Sequence, residues 1–251
     1  MTDLFGKIAI VTGGTRDIGR ACSIKLAEAG AKVVVNYHSN KAAGKETIAM
    51  IKAAGGTAIL VKGDMTKKAD VVNLVTDALK AFGNEIHILV NNVGGLVERK
   101  KLPDMDEDFL NHVMALNVNS TFLATQAVVP HMPKGSSIVN LASLAGRDGG
   151  GGGASAYSMA KGAVITFTRS MAKELGPDGI RVNALCPGMI DTTFHDTFTP
   201  DTARRNVEAS VPLRRQGHPN DCADTVVYLA SSKSSYITGA NIDINGGMFF
   251  S

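Results

Sequence analysis

Tyr157 and Lys161, four residues apart in "YSMAK", are the residue types from which a tuned proton donor can be built. On a helix that spacing places phenol and ammonium on one face. A free phenol titrates near pH ~10, and a neighbouring positive charge favours phenolate, which brings a general acid/base toward the working range. The pair also reads as an exposed cation–π contact. Ser143, at the end of the apolar run "SSIVNLAS", carries a hydroxyl able to polarise a carbonyl or to cap a turn. Asn117 lies in the otherwise apolar "MALNVNSTF", where a buried amide needs partners or marks a kink.

A second constellation lies near the start of the chain. "VTGGTRDIGRA", residues 11–21, reads as a strand ending in the turn Gly13-x-x-x-Asp17-x-Gly19 and opening a helix, a geometry that holds phosphate at a helix N-terminus. Asp17 is the anomaly, a carboxylate where a pyrophosphate would lie. The expectation is that it caps first-turn amides from the solvent side and leaves those of Ile18 and Gly19 to the phosphate. "NNVG", Asn91 to Gly94, closes a later strand, where amides bind ribose or fix the backbone.

These residues need a frame that brings strand ends together. "KIAIVTG", "AKVVVNY", "TAILVKG", "IHILVNN", "SSIVNLAS", "IRVNALCPG" and "NIDING" are seven candidate strands, and their continuous apolar character fits a parallel sheet covered on both faces. Helices are expected over 17–29, 41–54, 68–82, 106–131, 155–175 and 219–231, with Gly30, Gly55, Gly83 and Gly176 as C-terminal stops. Two irregular stretches stand out: the five-glycine run Gly149–Gly153 and the long connection 188–217, of a length that usually carries function.

The 251 residues, 44% hydrophobic, suit one large α/β domain over 1–251. A net charge of +3 with dispersed Lys and Arg gives no nucleic-acid footprint and favours small anionic ligands. Cys22, Cys186 and Cys222 are far apart and odd in number, which points to a reducing cytoplasm, and no ligand spacing suggests a metal. "MTDLFGKIAIVTGG" reads as a first strand rather than a signal peptide, and no run is long enough for a membrane span.

From about Gly6 to Gly247 the sequence resembles the short-chain dehydrogenase/reductase family, on "TGGTRDIG", "NNVG", Asn117 in "NVNSTF", Ser143 in "NLAS", "YSMAK" and "PGMIDT". The resemblance implies a Rossmann-type, doubly wound parallel sheet and a homotetramer. It also implies a catalytic tetrad: Tyr157 transfers the proton, Ser143 holds the substrate oxygen, Lys161 binds the nicotinamide ribose and depresses the tyrosine pKa, and Asn117 supports a water-linked relay. Asn117 rather than Asn119 takes the first position of the Asn-x-x-x-x-Phe pattern ending at Phe122. Cofactor contacts are expected from the turn residues Gly13, Thr15, Arg16, Asp17, Ile18 and Gly19, and from Asn91, Val93 and Gly94. Asp64 matches an adenine-contacting acid with Met65 beside it, and Pro187, Gly188, Ile190 and Thr192 match positions after the sixth strand. The family has Gly or Ala at Asp17 and one residue fewer between Ser143 and Tyr157; the glycine run absorbs the extra residue.

The second strand ends in Tyr37, where an acid would select the free ribose hydroxyls of NAD. Arg16, His38 and Ser39 could surround a 2′-phosphate, so NADPH is expected ahead of NADH, with NADH still possible. Segment 188–217 is the expected substrate lid, mixing Met189, Phe194 and Phe198 with His195, Arg204, Arg205, Arg214 and Arg215. Arg215 matches a scaffold position. Ser143, Phe194, Arg204, Arg205 and Arg214 are the candidate substrate contacts, and the arginines suit an anion. The expected reaction is reduction of a sugar- or uronate-derived keto acid. The alternatives are reduction of 3-oxoacyl groups on an acyl carrier protein and, from another class, a nucleotide-sensing protein without chemistry.

Overall fold

The computed structural model describes residues 4–250; residues 1–3 and 251 of the expected domain lie outside the described residues. Seven strands, β1 (Ile8–Val11), β2 (Lys32–Tyr37), β3 (Thr57–Lys62), β4 (Ile88–Asn91), β5 (Ser137–Leu141), β6 (Arg181–Pro187) and β7 (Asn241–Ile244), form one sheet in the order β3-β2-β1-β4-β5-β6-β7. Every pairing is parallel, with Ile8 opposite Lys32 and Ala9 opposite Ile88. This is a single Rossmann-type domain. The strand order reverses between β1 and β4, where such sheets open a crevice at their carboxyl ends.

Alternate strand residues feed two apolar layers. Val11, Val33, Val90 and Leu185 pack toward α1 (Asp17–Glu28), α2 (Lys41–Ala53) and α10 (Pro219–Ala230). Ile10, Val34, Leu89 and Val182 pack toward α3 (Lys68–Phe82), α5 (Ser120–Val128) and α7 (Ser155–Leu175). Both faces are covered by helices, which is why most of the strands read as unbroken apolar runs. Truncating a fully buried member such as Leu89 to alanine costs about 2–5 kcal/mol.

The expected single helix over 106–131 is divided. Asp106 caps α4 (Glu107–Met114) by accepting from Phe109 N at 2.7 Å, and a π-helical turn, Ala115–Asn119, separates it from α5. Gly176 does not stop α7 in a left-handed conformation; its φ is −56°, the chain continues through a short 3₁₀ turn, and Gly179 takes the positive φ of 76°. The glycine run follows a short helix, α6 (Ala145–Asp148), and Gly149, Gly150 and Gly153 have φ of 89°, 69° and 75°, a conformation other L-residues avoid. Segment 188–217 carries α8 (Thr193–Phe198) and α9 (Asp201–Ser210). No helix among the described residues is long and apolar enough to cross a membrane.

Candidate active site

A cleft of ≈ 910 Å³ opens along the carboxyl ends of the strands. At one end is the turn after β1. Gly13 N donates to Asn36 Oδ1 (3.0 Å) and Gly14 N to Asn36 O (2.9 Å), while Asn92 Nδ2 donates to Gly13 O (3.1 Å). A Cβ on Gly19 would stand 2.2 Å from Gly13 O, so only glycine permits this approach. The first intrahelical bond of α1 is Arg20 N to Arg16 O, which leaves the preceding amides of the first turn for a ligand at the cleft. Gly13, Thr15, Arg16, Asp17, Ile18 and Gly19 all line it, as do Tyr37, His38 and Ser39 at the end of β2. This cradle fits a dinucleotide pyrophosphate.

Asp17 departs from the expected geometry. Its φ is 51°, and Arg16, not Asp17, occupies the N-cap of α1 without a side-chain cap bond. The carboxylate reaches across the cleft to α8, accepting from Thr193 N (3.1 Å) and Thr193 Oγ1 (2.6 Å). Arg16 Nη1 donates to the same Thr193 hydroxyl at 3.3 Å. The helix-capping expectation fails because the left-handed backbone turns the side chain away from its own helix and the amide of Thr193 supplies a partner.

At the middle of the cleft Ser143, Tyr157 and Lys161 converge with Val93 and Gly94. Ser143 follows β5, and its Oγ accepts from Ala145 N (3.1 Å). Tyr157 and Lys161 stand one turn apart at the start of α7, the ammonium 5.7 Å from the phenol ring centroid. Burial pushes the Tyr157 phenol above the usual phenol range, and its hydrogen bond with Ser143 only partly opposes this. The expected depression by Lys161 is therefore not what this site shows: the phenol is held protonated at neutral pH. Burial also holds Lys161 down at about 8. Its Nζ donates to Leu141 O at 2.6 Å, leaving two further N–H groups.

Asn117 is fully buried in the π turn and does not line the cleft. Its Nδ2 donates to Gly95 O and Val113 O (2.9 Å each), and its Oδ1 accepts from Gly95 N (3.0 Å). A Cβ on Gly94 would lie 2.6 Å from Asn117 Oδ1 and 2.9 Å from Lys161 Nζ. The amide thus fixes the loop after β4 against Lys161.

Pro187, Gly188, Ile190 and Thr192 line the cleft beyond β6, and Phe194 packs on Tyr157 with centroids 5.9 Å apart. Other expected contacts lie elsewhere. Asn91 faces the interior, donating to Asn140 Oδ1 (2.9 Å) and Thr125 Oγ1 (3.0 Å), and its neighbour Asn92 takes the cleft position. Asp64 is outside the cleft lining; its Oδ1 accepts from Thr66 N (3.0 Å) and Thr66 Oγ1 (2.7 Å), and Met65 is buried in the layer beneath α3. Arg204 is consumed within its own segment by Asp191 and Asp196, at 2.6 Å each. Arg205, one residue on, turns to solvent, and Arg214 sits on an exposed turn with φ of 54°. Arg215 pairs with Asp221 at 2.7 Å.

Beyond the expected binding residues the cleft also holds Asn92 of "NNVG" and His195 of the 188–217 segment, together with Val97, Arg99, Asp148 and Thr193, which no motif singles out. Burial, reinforced by Arg204 and Arg99, lowers the His195 imidazole to about 4, so it is neutral. The available signal for Arg99 was position alone, a few residues past "NNVG" at the carboxyl edge of the sheet. No cluster among the described residues could hold a metal ion.

The family model described as enoyl-(acyl carrier protein) reductase matches residues 13–249. A 3-oxoacyl-[acyl-carrier-protein] reductase of Synechocystis is 39% identical over 255 residues, covering 99% of both chains. A solved short-chain dehydrogenase/reductase from Serratia marcescens superposes with a TM-score of 0.92 at 33% identity, covering 98% of both. An NADH-dependent reductase, A1-R′, described as responsible for alginate metabolism, superposes with a TM-score of 0.91 at 33% identity over the full length of both. The sheet order, the phosphate-type turn and the Ser143, Tyr157 and Lys161 cluster accord with these matches, and the chain belongs to the short-chain dehydrogenase/reductase family of NAD(P)-dependent oxidoreductases.

Proposed function

We propose that this oxidoreductase is an NADPH-preferring reductase acting on the ketone or aldehyde of a small anionic substrate, with a sugar- or uronate-derived keto acid as the best fit. The observation that carries the reading is a protonated phenol beside a serine hydroxyl and an ammonium in the same cleft as the phosphate-type turn. A bound nicotinamide supplies the hydride. Ser143 holds the carbonyl oxygen, and Tyr157 delivers the proton to it as charge develops. Lys161 offers its remaining N–H groups to the ribose hydroxyls and stays charged below about 8. Asn117 acts by holding Gly94 and Gly95 in place, and with both of its amide hydrogens committed to Gly95 O and Val113 O, any water relay has to take its donors from other groups.

For NADPH, the support is that β2 ends in Tyr37, followed by His38 and Ser39 rather than an acid, and that Arg16, 68% exposed, lines the same cleft. We assign one nucleotide-binding unit over 1–251, with 188–217 as its lid: Phe194 packs on Tyr157 and Thr193 bonds Asp17. Likeness to the alginate-metabolism reductase supports the keto acid, and the Synechocystis relative supports the 3-oxoacyl alternative. A nucleotide sensor has no use for Tyr157 and Ser143. Three free, buried thiols suit a reducing cytoplasm, and exposed Phe122, Met159, Tyr236 and Phe250 suit a homotetramer.

The test is oxidation of NADPH and NADH with a panel of keto acids and an acetoacetyl thioester. The fastest turnover is expected for a hydroxylated keto acid with NADPH. Preference for the thioester would move the assignment to the 3-oxoacyl alternative, and nucleotide binding without turnover of any carbonyl would leave the sensor.

A further inference from the structure

Of the arginines expected to meet an anion, Arg204 is paired with carboxylates and Arg205 and Arg214 face solvent outside the cleft, yet the cleft does contain a cation toward its carbonyl end. Among the described Arg and Lys residues that line it, Arg16 belongs to the phosphate turn, Lys161 stands beside Tyr157, and Arg99 remains. Arg99 Nε donates to Phe198 O (3.2 Å) and Nη1 to Gly152 O (3.0 Å). Both acceptors are neutral carbonyls, and among the described residues no carboxylate pairs with this guanidinium. Asp148 shares the cleft, with its Oδ1 accepting from Gly150 N at 2.8 Å. Two bonds use two of the five guanidinium N–H groups. Three remain, including both on Nη2, enough for a two-pronged hold on a carboxylate.

The glycine run explains how the cation is seated. Lys100 N donates to Gly153 O (3.1 Å), and a Cβ on Gly153 would lie 3.1 Å from Arg99 Cβ. The run is therefore a backbone shelf against which the base of the Arg99 side chain lies, with the Gly152 carbonyl holding the head. From the other side the Phe198 carbonyl ends α8, whose Phe194 contacts both Phe198 (5.2 Å between centroids) and Tyr157. A substrate reaching Tyr157 has this guanidinium in the wall of its cleft.

We propose that Arg99 is the anion receptor of the substrate end, and that it selects carbonyl compounds bearing a free carboxylate. The inference rests on the reductase reading above and names the side chain that sets its substrate class. The experiment compares succinate semialdehyde, its methyl ester and acetoacetyl thioester as substrates for the wild type, Arg99→Met and Arg99→Lys, all with NADPH. For the free acid, Arg99→Met is expected to lower kcat/KM about ten- to a hundredfold, mainly through KM, because one charged, forked hydrogen-bond pair is lost. Arg99→Lys is expected to fall between, keeping the charge without the fork. The methyl ester should change less than about twofold, and its turnover reports that Arg99→Met is folded.

Equal losses on acid and ester would make Arg99 a structural pin between Gly152 and Phe198 and overturn the proposal. An unchanged acid would overturn it as well, and so would a thioester losing as much as the acid. Each of these leaves the reductase reading standing. Absence of turnover by the wild type on all three substrates and on the hydroxylated keto acids of the panel above would remove that reading and this inference with it.

Discussion

The two ends of the cleft are built on different physical terms. At the nucleotide end the turn is bonded to the sheet: Gly13 and Gly14 donate to Asn36 of β2, and Asn92 after β4 donates back to Gly13. Asn36 is buried and also donates to Gly63 O at 3.1 Å, so the turn inherits the order of the core. At the carbonyl end the wall is assembled from segments far apart in the chain, through Arg99 to Gly152 and Phe198, Asp17 to Thr193, and Arg204 to Asp191 and Asp196. These are exposed polar contacts, of a kind that contributes little to folding stability. The nucleotide end is therefore rigid and costly to alter. The carbonyl end can be rebuilt for another substrate with little cost to folding.

The sharpest break falls where the two ends meet. Gly94→Ala puts a methyl group against Asn117 Oδ1 and Lys161 Nζ, and Gly94 itself is exposed, so the change displaces the ammonium without emptying the core. Reduction is expected to fall about 10²–10³-fold with weaker nucleotide binding, since one charged contact and the alignment of the proton donor are lost together. Thermal melting within a few degrees of wild type would accompany this; wild-type kinetics would show that the two ends do not share this contact.

Raising the pH separates the same groups by titration. Lys161 is held down at about 8 while burial moves Tyr157 upward, so the ammonium is the first of the two to lose its proton. Above pH 8, kcat/KM for reduction is expected to fall about tenfold per unit, since kcat/KM follows the free enzyme. A profile flat to pH 10 would contradict it.

The smallest effect belongs to the cross-cleft contact. Asp17→Ala removes both acceptors of Thr193, and amide exchange over Thr193–Phe198 is expected to quicken a few-fold, up to about tenfold, with the β-strands unchanged. Exchange equal to wild type in α8 would mean that Asp17 does not hold this segment.

The same division governs what could be read from the chain. The strands and the turn after β1 were legible because a buried parallel sheet imposes local rules: unbroken apolar runs, a glycine where Gly19 meets Gly13 O, and chemistry at strand ends. Ser143 is placed by such an end, and Tyr157 and Lys161 by the one-turn spacing at the start of α7. Asn91 and Asn92 were not separable, because adjacent residues at a strand end point to opposite sides and only the fold says which side is the cleft. The role of Asp17 is not legible locally because its partner Thr193 is 176 residues away, and no local pattern carries that contact. The arginines of the 188–217 segment stand out by charge, yet Asp191 and Asp196 neutralise one and solvent takes two. Arg99 belonged to no motif. Its place depends on the shelf made by the glycine run, which appears only when the chain folds.

We propose Tyr157 as the proton donor at the carbonyl end, with nucleotide binding independent of its hydroxyl. Tyr157→Phe keeps the ring against Phe194 and removes only the hydroxyl. One preparation, titrated with NADPH by fluorescence and then mixed rapidly with substrate to follow a single turnover, measures both halves. Nucleotide affinity is expected to be unchanged and reduction to be slower by about 10²–10⁴-fold. Reduction at the wild-type rate, or loss of NADPH binding on removal of this one hydroxyl, would contradict it.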